Sequence, residues 1–156
     1  MKAKRIGQLF LVSTAPLITG LTASFFTQSS INTWYLTLNK PFFNPPNGVF
    51  APVWICLYVI MGISGFAIWK LKSQTNHQAK QFFIIQLILN FCWSFFFFYM
   101  RSPATALVDI ILLWLSIVLW IRASYSLRPW IALIQIPYLM WVSFAMALNA
   151  AIWHLN

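Results

Sequence analysis

Five long apolar runs limit what this chain can fold into more than any other feature of its sequence. They cover residues 6–27, 49–69, 82–100, 104–121 and 130–153. Each run has about the length of roughly 20 residues that a helix needs to cross a hydrocarbon core of about 30 Å. None alternates polar and apolar residues as a barrel strand does. The sequence therefore predicts an all-α integral membrane protein, a five-transmembrane-helix bundle, as a single domain over residues 1–156 with a loop at 28–48.

The composition excludes an ordinary soluble domain. Of the 156 residues, 61% are hydrophobic and 7% are charged, against about a quarter charged in typical soluble domains. A chain this short cannot bury so much apolar surface inside itself, so membrane lipid must cover the outer face. The net charge of +9 does not indicate nucleic-acid binding, because the basic residues lie between the apolar runs and form no single stripe.

The amino terminus resembles a secretory signal peptide, with a basic start, an apolar middle and the small-residue sequence LTAS. Thr14 and Pro16 interrupt the apolar middle, and the run continues to Thr27, which is long enough to span a bilayer. We therefore expect an uncleaved first membrane helix.

Prolines and glycines predict where helices bend or approach one another. Pro137 lies inside the fifth run and should kink it, because proline lacks the N–H that a helix interior uses. Gly62 and Gly65, in the sequence GISG, permit close helix packing, either within one protomer or between two.

Basic residues at the ends of the runs predict the orientation in the membrane. Most of them lie on one side: Lys2, Lys4, Arg5, Lys70, Lys72, Lys80, Arg122 and Arg128. The other side has only Lys40 and Arg101. Because cytoplasmic loops carry the excess of Lys and Arg, we expect the N-terminus in the cytoplasm and the C-terminus outside.

Three runs each place aromatic and polar side chains on one helical face, at intervals of three or four residues. The residues are Trp54, Tyr58, Met61 and Gly65 in the second run, Gln86, Asn90, Trp93 and Phe97 in the third, and Tyr138, Trp141, Ala145 and Asn149 in the fifth. Buried amide and indole N–H groups need partners, so these stripes should face one another. In one interpretation the amides join helix to helix. In the other, the stripes line a cavity for a flat, largely apolar ligand.

Asp109 is the only acidic residue in the chain, and it lies in the fourth run. An ionisable group inside a membrane is costly and is therefore a functional candidate. It lies only about one and a half turns from the end of its helix, so pairing with Arg101 or Lys40, or a hydrogen bond to another helix, is the alternative. One isolated acid is a weak basis for a proton relay or an ion pump.

Signatures of enzyme chemistry are missing from the sequence. It has no Gly-rich phosphate loop, no nucleophile–His–acid set and no pair of carboxylates. Cys56 and Cys92 lie inside apolar runs without metal-ligand spacing, so we interpret them as small core residues. We expect no metal site and no required cofactor.

Several motifs, in order along nearly the whole chain, resemble the TspO/MBR family of tryptophan-rich sensory and translocator proteins. They are WYLTLNKPFFNPP, VFAPVWICLYVIMG, QLILNFCWSFFFF, ALVDIILLW and PYLMWVSFAMALN. The resemblance implies a five-helix membrane protein, commonly a homodimer, whose cavity opens near the loop after the first helix. It also implies a porphyrin of the protoporphyrin type as the ligand and, for a bacterial type of member, the inner membrane as the location.

The resemblance implies roles for particular residues. It implies ligand contacts at Trp54, Asn90, Trp141 and Ala145, with Trp34, Pro45 and Pro46 in the loop motif. The stripes add Tyr58, Trp93 and Tyr138 as candidate ligand contacts, and Gln86 and Asn149 as polar intramembrane groups. Asp109 of the fourth run is a further polar intramembrane group. The family's sterol-recognition pattern needs Tyr and Arg where this chain has Ala150 and His154, which favours a tetrapyrrole role over sterol binding.

The expected function is that of a porphyrin sensor or scavenger, with light-dependent porphyrin breakdown in which Trp54 and Trp141 are the candidate reactive residues. The alternative is a transporter of porphyrin or lipid-like molecules, which is less favoured because the chain has no internal repeat. The Pro-rich segment NKPFFNPPNGVFAPVW should form a stiff cover over the cavity, with Phe42 and Phe43 dipping into it.

Overall fold

The computed structural model of the protein describes residues 2–71 and 76–156, with the side chains of residues 2–4 left out. The long helices are α1 (Lys2–Ile31), α3 (Phe50–Lys70), α4 (His77–Ser94), α5 (Pro103–Tyr125) and α7 (Ile136–Leu155), and the short ones are α2 (Trp34–Thr37) and α6 (Pro129–Leu133). The described part of the chain has 5 helical segments long and apolar enough to cross a membrane, which confirms the predicted bundle. Lys72 and the side chains of Lys2 and Lys4, used above to predict orientation, lie outside the described residues.

The helices extend beyond the apolar runs that predicted them. α1 covers Lys2–Ile31 rather than 6–27, and α4 begins at His77 rather than at residue 82. Hydropathy marks only the apolar slab of about 30 Å, whereas a helix can continue into the headgroup layers, which bring the total to roughly 40–45 Å. The connection after α1 is correspondingly shorter than the predicted 28–48: it covers residues 32–49 and contains α2.

The fifth predicted span is broken into two helices. Residues 134–135 separate α6 from α7, so Pro137 lies in the first turn of α7. The missing N–H costs no hydrogen bond there, because the first N–H groups of a helix have no partner within it. Gln135 at the break donates from Nε2 to the Ser64 hydroxyl at 2.6 Å, which ties the break to α3.

α1 and α3 touch backbone to backbone in the half of the bundle far from residues 32–49. A Cβ added at Gly62 would collide with the Ser13 carbonyl oxygen, and one added at Gly65 would lie 2.6 Å from the Phe83 ring. Small residues let helices approach closely in a membrane, where apolar burial alone does not bring them together. The close approach predicted at these glycines therefore occurs within one protomer.

In the other half of the bundle, next to residues 32–49 and called the loop end below, α1 is fastened to α4. α4 continues there into a π-helical turn, Phe95–Tyr99. The Ser30 hydroxyl donates to the Phe98 carbonyl oxygen at 2.7 Å. The Phe26 ring packs edge-on against Phe91 and Phe95, with centroids 5.6 and 5.4 Å away. The two halves of α1 thus have different principal partners.

The connection over the loop end is held by its own side chains. The buried Tyr35 donates its hydroxyl to Asn44 Oδ1 at 2.9 Å, and Lys40 Nζ lies 4.7 Å from the centre of the Tyr35 ring. Burial raises the pKa of Tyr35, an effect that the hydrogen bond with Asn44 reduces. The Asn39 N–H donates to Asn156 Oδ1 at 2.9 Å, and Asn156 Nδ2 donates to the Asn39 carbonyl at 3.0 Å. The connection is therefore tied to the end of α7.

The described basic residues divide between the two ends of the bundle as predicted. The end opposite the loop end holds Arg5, Lys70, Lys80, Arg122 and Arg128. Arg5 reaches from α1 to the last residue of α3, donating to the Lys70 carbonyl at 3.2 Å. Which end faces the cytoplasm stays a prediction.

Candidate ligand-binding cavity

A cavity of about 580 Å³ lies at the loop end of the bundle. Its wall consists of one face each of α1, α3, α4 and α7, completed by the π-helical turn and by residues of the connection 32–49. The volume falls within the range of about 300–1,000 Å³ that is usual for ligand pockets. The three predicted stripes face one another, as expected, and a fourth helix joins them.

The deepest part of the cavity wall is a chain of hydrogen bonds across three helices. The Tyr58 hydroxyl donates to Asn90 Oδ1 at 2.6 Å, and Asn90 Nδ2 donates to the Tyr138 hydroxyl at 3.2 Å. Tyr58 and Asn90 line the cavity, whereas Tyr138 is fully buried behind them. In a medium of low dielectric, a satisfied network of this kind holds its members in one arrangement. The cavity floor is therefore polar and fixed.

Stacked aromatic rings form two sides of the cavity. Trp54 stacks on Tyr58 with ring centroids 5.5 Å apart and an interplanar angle of 27°. Trp93 stacks on Phe97 at 5.3 Å and 25°. The Trp93 indole also donates from Nε1 to Asn149 Oδ1 at 3.0 Å, which fixes the plane of its ring. The cavity thus has flat π surfaces in fixed positions, on α3 and on α4.

Trp141 differs from Trp93 because its N–H group is unused. Trp141 Nε1 is buried and has no hydrogen-bond partner within residues 2–71 and 76–156. Phe50 packs against the indole edge-on at 6.0 Å, and Phe144 lies 5.5 Å away. A buried donor without an acceptor costs roughly 1–3 kcal/mol.

Comparison with known proteins identifies the family. The TspO/MBR family model matches residues 12–154. The chain belongs to the TspO/MBR family. It is 43% identical to the tryptophan-rich protein TspO of Archaeoglobus fulgidus over 142 residues, which are 91% of this chain and 92% of that protein. It is 42% identical to the tryptophan-rich protein TspO of Chlorobaculum tepidum over an alignment of 157 positions, gaps included, which covers 98% of each chain. It is 33% identical to the translocator protein of Homo sapiens over 145 residues, 91% of this chain and 86% of that protein.

Most of the predicted site residues of this TspO/MBR chain meet at the cavity. Those that line it are Trp54, Tyr58, Asn90, Trp93, Trp141, Ala145 and Asn149. Tyr138 lies behind the wall, where it accepts from Asn90 and packs edge-on against Trp54 at 6.4 Å. Trp34 lies behind the wall, edge-on to Phe97 at 5.7 Å, and Pro45 and Pro46 precede the lining residue Asn47. Ligand contact at each of these residues stays a prediction.

The two interpretations of the polar stripes describe the same residues. Asn90 joins α3, α4 and α7, and it also lines the cavity. Asn149 accepts from Trp93 and donates to the Pro103 carbonyl at 2.7 Å while lining the cavity too. Gln86 is fully buried one turn below Asn90, outside the cavity wall, and its Oε1 atom has no partner among the described residues.

Asp109 lies outside the cavity of this TspO/MBR chain. It is buried on α5 beside a separate groove, whose other lining residues are Phe96, Ala104, Thr105, Val108 and Leu112. Its Oδ2 atom has no hydrogen-bond partner in the described part of the chain. The expected pairing with Arg101 or Lys40 therefore does not satisfy this oxygen.

Two features of the wall differ from the sequence-based expectation. α1 contributes small side chains, namely Gly20, Ala23, Ser24 and Thr27. Their spacing of i, i+3, i+4 and i+7 is the signal for one helical face, but without an aromatic group it did not suggest a site.

Phe42 is fully exposed and Phe43 packs on Phe144 at 6.3 Å, so the expectation that both dip into the cavity was wrong. The buried Tyr35 lines the cavity instead.

Proposed function

We propose that this TspO/MBR protein binds a porphyrin of the protoporphyrin type in its cavity and acts as a membrane-embedded porphyrin sensor or scavenger. The observation that carries the proposal is the pair of stacked aromatic surfaces, Trp54–Tyr58 and Trp93–Phe97, around a space of about 580 Å³. A flat conjugated ring stacks on such surfaces with a favourable offset geometry. Membership of the family adds support.

Each part of the wall has its own role in this proposal. Trp54 and Trp93 supply flat apolar surfaces for the macrocycle. Trp141 supplies a further aromatic surface, on α7. Asn90 holds Tyr58 in its stacked position through the 2.6 Å hydrogen bond. Ala145 is small and leaves room for the ring. A few polar groups in an otherwise apolar pocket are the usual source of ligand orientation.

A titration of the protein in lipid with protoporphyrin, followed by quenching of tryptophan fluorescence, tests the proposal. We expect Trp141→Phe and Asn90→Ala each to raise Kd by about threefold to tenfold, the effect of losing roughly 0.7–1.4 kcal/mol of interaction. Trp153→Phe is the matched control, because Trp153 is 54% exposed near the end of α7 and lies outside the cavity wall. Equal Kd values in all variants, or no quenching at all, would contradict the proposal.

A flux measurement separates a sensor or scavenger from a transporter. Protoporphyrin is added outside liposomes that carry the protein, and a porphyrin-binding protein is trapped inside. We expect binding without accelerated appearance of porphyrin in the lumen. Flux that depends on the protein and is lost in Trp141→Phe would establish the transporter alternative.

We further propose that the bound porphyrin is broken down in light without an acid–base catalytic set. The excited ring sensitises O₂, which adds across a bridging carbon–carbon double bond. That bond and the O–O bond then break and two carbonyl groups form, so both oxygen atoms remain in the opened product. Trp54 and Trp141 each donate an electron transiently to the excited porphyrin and recover it from the reduced ring, and they steer where the ring opens.

Loss of the porphyrin absorption band tests this breakdown. At saturating porphyrin the loss should need both light and O₂, and it should slow in the Trp54→Phe/Trp141→Phe double variant. Equal loss with the double variant, or with an unrelated membrane protein, would exclude a role for the two tryptophans.

The proposed setting is a homodimer in a bacterial inner membrane, with the N-terminus in the cytoplasm. The family resemblance supports the dimer, and the basic residues at the end opposite the loop end support the orientation. Reporter fusions at each terminus test the orientation, and light scattering of the purified protein tests the dimer.

A further inference from the structure

Two residues of the cavity wall also belong to the outer surface of the bundle. Leu21 of α1 and Ile55 of α3 both line the cavity, yet they are 67% and 56% exposed. In a bundle surrounded by lipid, a side chain with those two properties stands at an opening between the cavity and the bilayer. Ser24 on α1 and Ala51 on α3 also line the cavity on the same two helices.

The opening follows from the way α1 is held. In the half far from the loop end, the backbones of α1 and α3 touch at Ser13 and Gly62. About two turns further along α1, towards the loop end, a Cβ at Gly20 would collide with the Tyr58 ring, so α1 still covers the cavity floor there. Beyond that point α1 is fastened to α4 by the Ser30–Phe98 hydrogen bond and the Phe26 ring cluster. The space between α1 and α3 is left to side chains alone.

The route over the loop end is closed by more contacts than the route between the helices. Asn39 and Asn156 exchange two hydrogen bonds, and Tyr35 is bonded to Asn44 beneath them. A molecule that enters there has to displace backbone held by these bonds. A molecule that enters between α1 and α3 has to move only the apolar side chains of Leu21 and Ile55.

We propose that the cavity exchanges its ligand sideways with the hydrocarbon of the bilayer, through a portal formed by Leu21, Ser24, Ala51 and Ile55. Ile55 lies about 7.5 Å along α3 from the first residue of that helix, inside a segment long and apolar enough to cross a membrane. A flat apolar molecule dissolved in the bilayer therefore reaches the cavity without crossing water. The identity of the ligand rests on the proposed function, whereas the portal itself rests on the geometry of α1 and α3.

Rates of binding, measured by stopped flow with protoporphyrin in liposomes, test the portal. We expect Leu21→Phe/Ile55→Phe to slow both association and dissociation, each by at least about fivefold, because a blocked route raises one barrier for both directions. The matched control is Ile18→Phe/Val59→Phe, two exposed residues on the same helices outside the cavity wall, which should leave both rates unchanged. Asn156→Ala, which loosens the connection, should also leave them unchanged.

Two results would overturn the portal: unchanged rates in Leu21→Phe/Ile55→Phe, or faster exchange in Asn156→Ala, which would place the route at the loop end.

A second probe keeps this test independent of porphyrin. Phospholipids with brominated acyl chains quench tryptophan on contact, and the difference between protein with and without Trp54→Phe isolates the emission of Trp54. We expect Leu21→Phe/Ile55→Phe to lower the quenching of Trp54, and Ile18→Phe/Val59→Phe not to. Failure of protoporphyrin to bind, with this lipid effect intact, removes the proposed ligand and keeps the portal. Equal quenching of Trp54 in both double variants removes the portal and leaves the proposed ligand untouched.

Discussion

The two halves of the bundle are built from the same helices, but one half has a filled interior and the other encloses a cavity. In the half far from the loop end, side chains fill the interior, and the buried cluster there comprises Ile68, Ala79, Phe83, Trp120 and Ile131. In the half at the loop end, the helices enclose about 580 Å³ of space. The boundary between them is the hydrogen-bonded layer of Tyr58, Asn90 and Tyr138. The cavity therefore depends on where α1 changes partner and on a polar layer between the filled half and the open half.

The largest expected effect comes from disturbing the close-packed half. Gly62→Val places methyl groups against the Ser13 carbonyl, a backbone atom that cannot move aside, so we expect a loss of about 3 kcal/mol in unfolding free energy. Gly7→Val is the control, because nothing lies within 4 Å of a Cβ at Gly7. Thermal unfolding in detergent, followed by circular dichroism, measures both. Similar midpoints for the two variants would show that α1 and α3 are not in backbone contact.

The next effect concerns the polar layer between the halves. Asn90→Ala leaves the buried hydroxyls of Tyr58 and Tyr138 without their shared partner, which should cost about 2 kcal/mol of stability. Asn32→Ala, at an exposed position after α1, should cost almost nothing. The same unfolding measurement compares them, and an equal loss in both would remove the polar layer from the explanation of the cavity.

A smaller effect distinguishes two tryptophans within the cavity half. Trp93→Phe loses the hydrogen bond to Asn149, whereas Trp141→Phe loses an N–H that has no partner in the described residues. We therefore expect Trp93→Phe to be less stable than Trp141→Phe by about 1 kcal/mol. Unfolding followed by circular dichroism avoids dependence on tryptophan emission. If Trp141→Phe is the less stable variant, its N–H has a partner that the geometry does not account for.

The smallest effect is the pH dependence of the connection at the loop end. Burial raises the pKa of Tyr35 above its ordinary value of 10.0, so its stabilising effect is complete below that pH and is lost as the pH rises further. Tyr35→Phe cannot ionise. We expect the difference in midpoint between the unmodified protein and Tyr35→Phe to be constant from about pH 8 to pH 9.5 and to shift against the unmodified protein near pH 11. A constant difference throughout would mean that Tyr35 is not buried.

Much of the fold could be predicted because membrane-spanning helices are recognised directly by their length and apolar composition. The five runs had to be helical, since every backbone polar group in lipid needs a hydrogen-bond partner and the runs lack the alternation of barrel strands. The same logic predicted that Asn90, Trp93, Trp141 and Asn149 would turn inward. The exact ends of the helices could not be read in this way, because residues in the headgroup layer, such as His77, are not apolar.

Sequence alone determined that this chain is a five-helix membrane protein with three aromatic and polar stripes, because period and hydropathy are local properties. Tertiary structure decided the rest. It brought Gly20 and Tyr35 to the cavity, left Asp109 and Gln86 outside it, and exposed Phe42 completely. The wall that α1 contributes depends on how this helix divides its contacts between α3 and α4. That division depends on packing between helices that are far apart in the sequence, so no pattern within one helix predicts it.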